Sequence, residues 1–369
     1  MTGQLSRPVG EFTELHEELR TVARDILTTT AAGTAQDWPA IVAADWPGLE
    51  IDDEFDGAGV TFAEVAVVLR EMGRALTRSP YASVAVAVAA LARAEPSAAR
   101  DALLRETAAG AAVPVLALSG STGPADPPFT ISRGRAGTTV TGATEFAADV
   151  AGATTVLLPA RDTDGTTVLV TTRPTGPGIS VTAQPCLDTT REFGTLSART
   201  AVVDDEAVWR WGTEGPDALT AAVRRQTVVT AIDSLGLAEG ALAATVEHVR
   251  TREQFGRPVG SFQAVKHACA DMLVSLRIGT QLVGAATTAE VRDDPDAWIA
   301  AARAKSYTCA AAVDIAGKAV QLHGGMGYTW ESGIHRYLER ATLNRSLYGS
   351  PSEHRARLAA RYRDPHFTP

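Results

Sequence analysis

Cysteine is scarce: Cys186, Cys269 and Cys309 are the three in a chain of 369 residues. None stands in a CxxC pair or at metal-ligand spacing. That disfavours a zinc site or a disulfide framework and fits reduced, buried thiols. Long apolar runs are also missing. No run of 18 apolar residues escapes a charged one, so no membrane span is expected. The opening residues, MTGQLSRPVGEFTE, lack the apolar core of a signal peptide, and the expected location is cytoplasmic. Basic residues are outnumbered, 34 Lys and Arg against 43 Asp and Glu, for a net charge of -9. That balance argues against a broad nucleic-acid face. There is no internal repeat, and no GxGxxG loop following a strand, which disfavours a Rossmann nicotinamide site.

What is present reads as an α+β protein: helices, then strands, then helices. From Glu11 to Thr28, apolar residues recur at three- and four-residue spacing through Leu15, Leu19, Val22 and Ile26. Thr61 followed by Glu64 is a capping box, and predicts a helix running to about Leu76. Residues 81–109 predict one or two Ala-rich helices. From about Val113 short Thr- and Val-rich runs appear, among them Thr155-Val156-Leu157-Leu158 and Thr167-Val168-Leu169-Val170. Turns such as Asp164-Gly165 separate them. That pattern predicts a small antiparallel β-domain ending near 210. Helical periodicity then returns, with helices expected over 217–251, 262–290, 295–322, 332–347 and 351–362. The expected units are residues 1–110, 111–212 and 213–369.

Two clusters carry chemistry. One is Arg252-Glu253-Gln254-Phe255-Gly256-Arg257-Pro258-Val259-Gly260, followed by Ser261, Phe262 and Gln263, between two long helices. A guanidinium at one helix end and the first turn of the next suit a pyrophosphate. The other is Gln321-Leu322-His323-Gly324-Gly325-Met326-Gly327-Tyr328, where glycines end a helix and let backbone amides approach a ligand. Each has a plainer reading, a helix C-cap for the glycines and a surface ion pair for Arg252.

Taken together, these clusters resemble the acyl-CoA dehydrogenase family. So do Trp46-Pro47-Gly48-Leu49, Glu54-Phe55-Asp56-Gly57-Ala58-Gly59 and residues Leu69 to Leu76. The resemblance covers nearly the whole chain. It implies an N-terminal helical domain, a middle β-domain and a C-terminal four-helix bundle, assembled as tetramers. It implies FAD between the β-domain and the bundle. Arg252, Gln254, Phe255 and Gln263 match cofactor-binding positions, and Gln321, Gly324 and Gly325 match positions that reach FAD across a subunit interface. The implied reaction is α,β-dehydrogenation of an acyl-CoA, with electron-transfer flavoprotein as acceptor.

The chain also departs from the family pattern. The usual catalytic glutamate follows a tyrosine near the end of the chain, but here the stretch is Leu347-Tyr348-Gly349-Ser350-Pro351, with Gly349 in the glutamate's place. Glycine accepts no proton. An alternative base position on the helix before Arg252 matches Gln226, again not a base. Asp233, seven residues on, lies on the same helical face in an apolar stretch. It is the candidate base, with a structural carboxylate between packed helices as the plainer reading. Glu253 is a further acid, and reads as a solvated helix-end charge. Arg336, Arg340 and Arg345 read as a solvated ion-pair face. The β-domain stretches Leu118-Ser119-Gly120-Ser121 and Gly142 to Asp149 lack the family's flavin-ring residues. Three activities fit these residues: a dehydrogenase, alone or paired with a homologue as in actinobacterial enzymes of steroid side chains; an inactive, FAD-completing subunit; and a related flavin enzyme of a non-CoA substrate.

Overall fold

The computed structural model describes residues 9–28, 38–121, 126–135, 137–211 and 218–363, with side chains from residue 14 onward. The expected boundary at 212/213 lies outside these residues. The first unit holds α1 (Val9–Thr28), α2 (Trp38–Ala43), α3 (Phe62–Arg74), α4 (Tyr81–Ala92) and α5 (Ala98–Ala108). Thr61 caps α3 as expected. Its hydroxyl accepts from Ala63 N, and the Glu64 carboxylate accepts from Thr61 N at 2.9 Å. The helix ends at Arg74, two residues short of the expected Leu76.

The strands are β1 (Pro114–Leu116), β2 (Phe129–Gly134), β3 (Gly137–Ala148), β4 (Thr155–Arg161), β5 (Thr167–Thr172), β6 (Ile179–Ala183), β7 (Phe193–Val203) and β8 (Val208–Arg210). They form one sheet in the order β6-β7-β3-β2-β4-β5-β8. The sheet is mixed rather than purely antiparallel. β1 and β2 both run parallel to β4, pairing with it at Pro114↔Thr155 and Phe129↔Ala160. Sequence patterning could not show this, because strand direction depends on connections rather than on composition. The apolar runs of β4 and β5 are buried on both faces. Val156, Leu158, Val168 and Val170 belong to the sheet's own core, whereas Leu157 and Leu169 turn to the helices. This is why those runs do not alternate with polar residues.

The third unit has three long helices, α6 (Ala218–Thr251), α7 (Gln263–Val291) and α8 (Ala297–His323), and two short ones, α9 (Ile334–Ser346) and α10 (Pro351–Arg363). α6 is the one described helix long and apolar enough to cross a membrane, yet 83% of its most apolar window is buried. It packs on α3 with almost no side chain between them. A Cβ on Gly73 would stand 2.4 Å from the Asp233 carbonyl oxygen, and one on Gly236 would stand 2.1 Å from that of Arg70. Helix α3 is also tied to α1, where Arg24 Nε donates to the buried Glu71 carboxylate at 2.9 Å. Gly73→Ala should therefore push two backbones apart and cost about 1–3 kcal/mol, the range for overpacking. Urea denaturation would measure the loss, and an unchanged midpoint would show that the helices can separate freely.

Candidate functional site: an open helix-end cleft and a closed polar cluster

The first cluster forms where α6 gives way to α7. Helix α6 stops at Thr251, and Arg252 begins a two-stranded hairpin, β9 (Glu253–Gln254) with β10 (Arg257–Pro258). Phe255 and Gly256 make its turn, both with positive φ, and Phe255 is 91% exposed. The Arg257 guanidinium lies 4.1 Å from the Phe262 ring centroid, against which Phe255 packs edge-on. Gln263 is the first residue of α7. Phe262 occupies the N-cap position of α7 and offers no side-chain bond.

The second cluster lies at the C-terminal end of α8. Gly324 takes φ +62, a conformation that favours glycine. His323 stacks on His248 of α6 with ring centroids 4.3 Å apart, which sets the two helix ends side by side. Its Nδ1 bonds the Ala319 carbonyl at 2.7 Å.

Arg252, Gln254, Gln263, Gln321, Gly324 and Gly325 are all exposed. Among the described residues the Arg252 guanidinium has no ion-pair or hydrogen-bond partner, so the plain ion-pair reading of Arg252 does not hold. Gly325 has an ordinary φ, and a Cβ there would meet nothing within 4 Å. Among the described residues, nothing requires glycine at 325. The neighbouring Gly327 differs, since a Cβ there would stand 2.3 Å from the Val320 carbonyl oxygen. A free cation, exposed amide side chains and an unexplained glycine at one bundle end fit the phosphate-bearing part of a dinucleotide.

The second half of the candidate site is buried. Asp233 is 6% exposed and Arg340, on α9, is 4% exposed. Arg340 Nη2 and Nε donate to the two Asp233 oxygens at 2.6 and 3.1 Å, and Asn344 Nδ2 donates to Oδ2 at 2.6 Å. Burial pushes the Asp233 carboxyl up, but Arg340, Arg191 and these hydrogen bonds outweigh it and hold it below the usual carboxylate range. A carboxylate fixed in this way is a weak proton acceptor. The expectation that Arg340 belongs to a solvated face is thus corrected: one turn of α9 points inward, where Asp233 compensates its charge. Arg345 is exposed.

Asp233 and Gln226 do share a helical face, and both line one small cavity. Arg191, Arg340, Thr77 and Ser79 line it too. Its volume of about 20 Å³ admits one water and no acyl chain. Arg191, from the β6–β7 connection, lies 3.8 Å from Asp233 and over the Phe193 ring. Position 349 carries no side chain that can take a proton. Beside it, burial pushes the Tyr348 hydroxyl up to about 12.

Residues 9–111 match the acyl-CoA dehydrogenase N-terminal domain, and residues 214–362 match the C-terminal domain. Acyl-CoA dehydrogenase IpdE2 of Mycobacterium tuberculosis is 32% identical over 84% of this chain and 81% of its own length. The chain belongs to the acyl-CoA dehydrogenase family. The ChsE4–ChsE5 complex of M. tuberculosis superposes with a TM-score of 0.85 at 25% identity, covering 96% of this chain and 98% of the other. A steroid acyl-CoA dehydrogenase variant, Tcur3481–Tcur3483, gives 0.84 at 26%, covering 96% of this chain and 99% of the other. Within this dehydrogenase fold, sequence reasoning singled out Asp233 but missed Arg191, Asn344, Lys305 and His354. The available signal for Lys305 was a lysine set in the Ala-rich first half of α8, between Ala304 and Ser306. Arg340 and Asn344 stand one turn apart, as a pair facing one partner does.

Two outcomes follow for stability. Asp233→Ala leaves Arg340 buried without its counter-charge and should cost about 3–5 kcal/mol, read by denaturant unfolding. A loss below 1 kcal/mol would remove the pair's structural role. His354 is buried, and burial lowers its imidazole from 6.5 to about 4. Between those values the unfolded chain binds a proton that the folded chain refuses. Stability should therefore fall as pH drops from 6.5 towards 4, by up to about 3 kcal/mol, with no such contribution above 6.5. A pH series on wild type and His354→Gln measures it: an equal slope in both would assign the loss to other groups.

Proposed function

We propose that this chain is the FAD-completing subunit of a heteromeric acyl-CoA dehydrogenase, with the proton-abstracting base on a homologous partner chain. One observation carries the reading: neither expected base position offers a free carboxylate. Position 349 is glycine, position 226 is glutamine, and the nearby Asp233 is engaged by Arg340 and Asn344.

Family membership supports FAD as the cofactor, which when bound would supply the hydride acceptor of the dehydrogenation. In this chain the unpaired Arg252 guanidinium would neutralise the diphosphate, with Gln254, Gln263 and Phe255 beside it. Gln321, Gly324 and Gly325 would present polar groups and bare backbone to the same dinucleotide across a subunit interface. The acyl substrate loses an α-proton of low acidity, which needs a base held against Cα away from water. This chain's cavity at Gln226 and Asp233 is too small for that substrate. The resemblance to two-chain complexes, one of them a steroid enzyme, favours a partner homologue and an acyl-CoA of steroid origin. Asp233 then acts as a positioning residue, not a base. The setting proposed is cytoplasmic, with electron-transfer flavoprotein as the electron acceptor.

Co-expression with a homologous acyl-CoA dehydrogenase chain, followed by a flavin count and anaerobic titration with acyl-CoA, tests the assignment. One FAD per two chains is expected, bleached by substrate only in the mixed assembly. One FAD per chain in an active homotetramer would overturn it. Arg252→Ala should weaken flavin retention roughly tenfold or more, the value of one charge-assisted contact. Flavin retained at wild-type strength in the mixed assembly would remove Arg252 from the cofactor site.

A further inference from the structure

The segment that replaces the family's base loop is held at every residue. Tyr348 and Gly349 both have positive φ, +53 and +93. Tyr348 N donates to the Gly120 carbonyl at 3.0 Å, which joins the segment to the β-domain. Lys305 is fully buried, and its Nζ donates to the carbonyls of Asn344 at 2.7 Å and Gly349 at 3.0 Å. Ser350 N donates to the Glu353 carboxylate at 2.7 Å, and Glu353 N to the Ser350 hydroxyl at 3.3 Å, a reciprocal cap at the start of α10.

The remaining space is filled by His354. A Cβ on Gly349 would stand 2.8 Å from its Nε2. The ring has little freedom to yield, because His354 is buried and Nε2 donates to the Tyr348 carbonyl at 3.0 Å. A side chain at 349 therefore meets two separate obstacles: a backbone conformation that L-residues avoid and an imidazole already in its volume.

We infer that His354 occupies the place of a side chain at position 349 and, with Lys305, locks residues 348–350 so that a carboxylate introduced at 349 cannot serve as a base. His354 is a positioning residue in this scheme. The carboxylate clause rests on the proposal that Gly349 is the vacated base position; the lock itself does not.

A double-mutant cycle on the full chain, purified with its partner where it needs one, tests the lock. The variants are Gly349→Ala, His354→Gly and the pair, read by thermal unfolding. Gly349→Ala should lower the midpoint by several degrees. The double variant should lose clearly less than the sum of the single losses, because removing the ring frees the space that the methyl group needs. Additive losses overturn the lock, whatever the flavin content. Gly349→Glu, in complex with the co-expressed homologue, should lower the midpoint further than Gly349→Ala and add no acyl-CoA-dependent flavin bleaching. A gain in bleaching, or an unchanged midpoint, overturns the inference. Should Gly349→Glu not fold, the alanine cycle still decides. A failure of the flavin count with a coupled cycle would sink the subunit assignment alone.

Discussion

The Arg340 guanidinium is the point at which the three units of this chain meet. From α9 it grips Asp233 of α6, donates to the Thr77 carbonyl at 2.8 Å after α3, and reaches the Thr190 hydroxyl of the β-domain at 3.3 Å. Burying a guanidinium demands a compensating charge and filled donors. Asp233 supplies the charge, and the two other units supply the acceptors. Losing any one arm leaves a charged group in a space that admits a single water. The interaction thus fixes how the helical layers and the sheet sit together. It also occupies the cleft between them, which is small and lined by Arg191, Gln226 and Asp233 beside Leu69, Met72 and Val229.

The same arrangement accounts for an acid inside an otherwise apolar helix. In the sequence, Asp233 breaks the run of Val228, Val229, Ile232 and Leu235, and either a catalytic or a structural role was compatible with that. Its partner stands 107 residues away in the chain, and spacing carries no signal of such a contact. Helix positions, the Thr61 cap and the return of helical period after the sheet were legible, because they depend on neighbours three or four residues apart. The sheet's parallel pairings and the inward turn of Arg340 were not, since each depends on segments remote in sequence. Arg252, Gln254, Gln263, Gln321, Gly324 and Gly325 were singled out by family motif, and the structure places them all at the surface. What the structure adds for them is that, among the described residues, Arg252 lacks an ion-pair or hydrogen-bond partner and Gly325 serves no packing need.

The chain therefore divides into two ends of unlike character. At the outer end of the bundle, polar side chains and bare backbone lie open to solvent. At the inner end, beside Gly349, the charged and basic side chains are engaged by other parts of the chain. Lys305 holds carbonyls, Arg340 holds Asp233, and His354 holds the Tyr348 carbonyl. A catalytic site requires groups whose hydrogen bonding is completed only by the reacting molecule. By that criterion the closed end has the hydrogen bonding of a structural core, whereas the open end keeps its polar groups exposed. The space beside Gly349 follows the same rule, since the His354 ring lies where a side chain at 349 would stand.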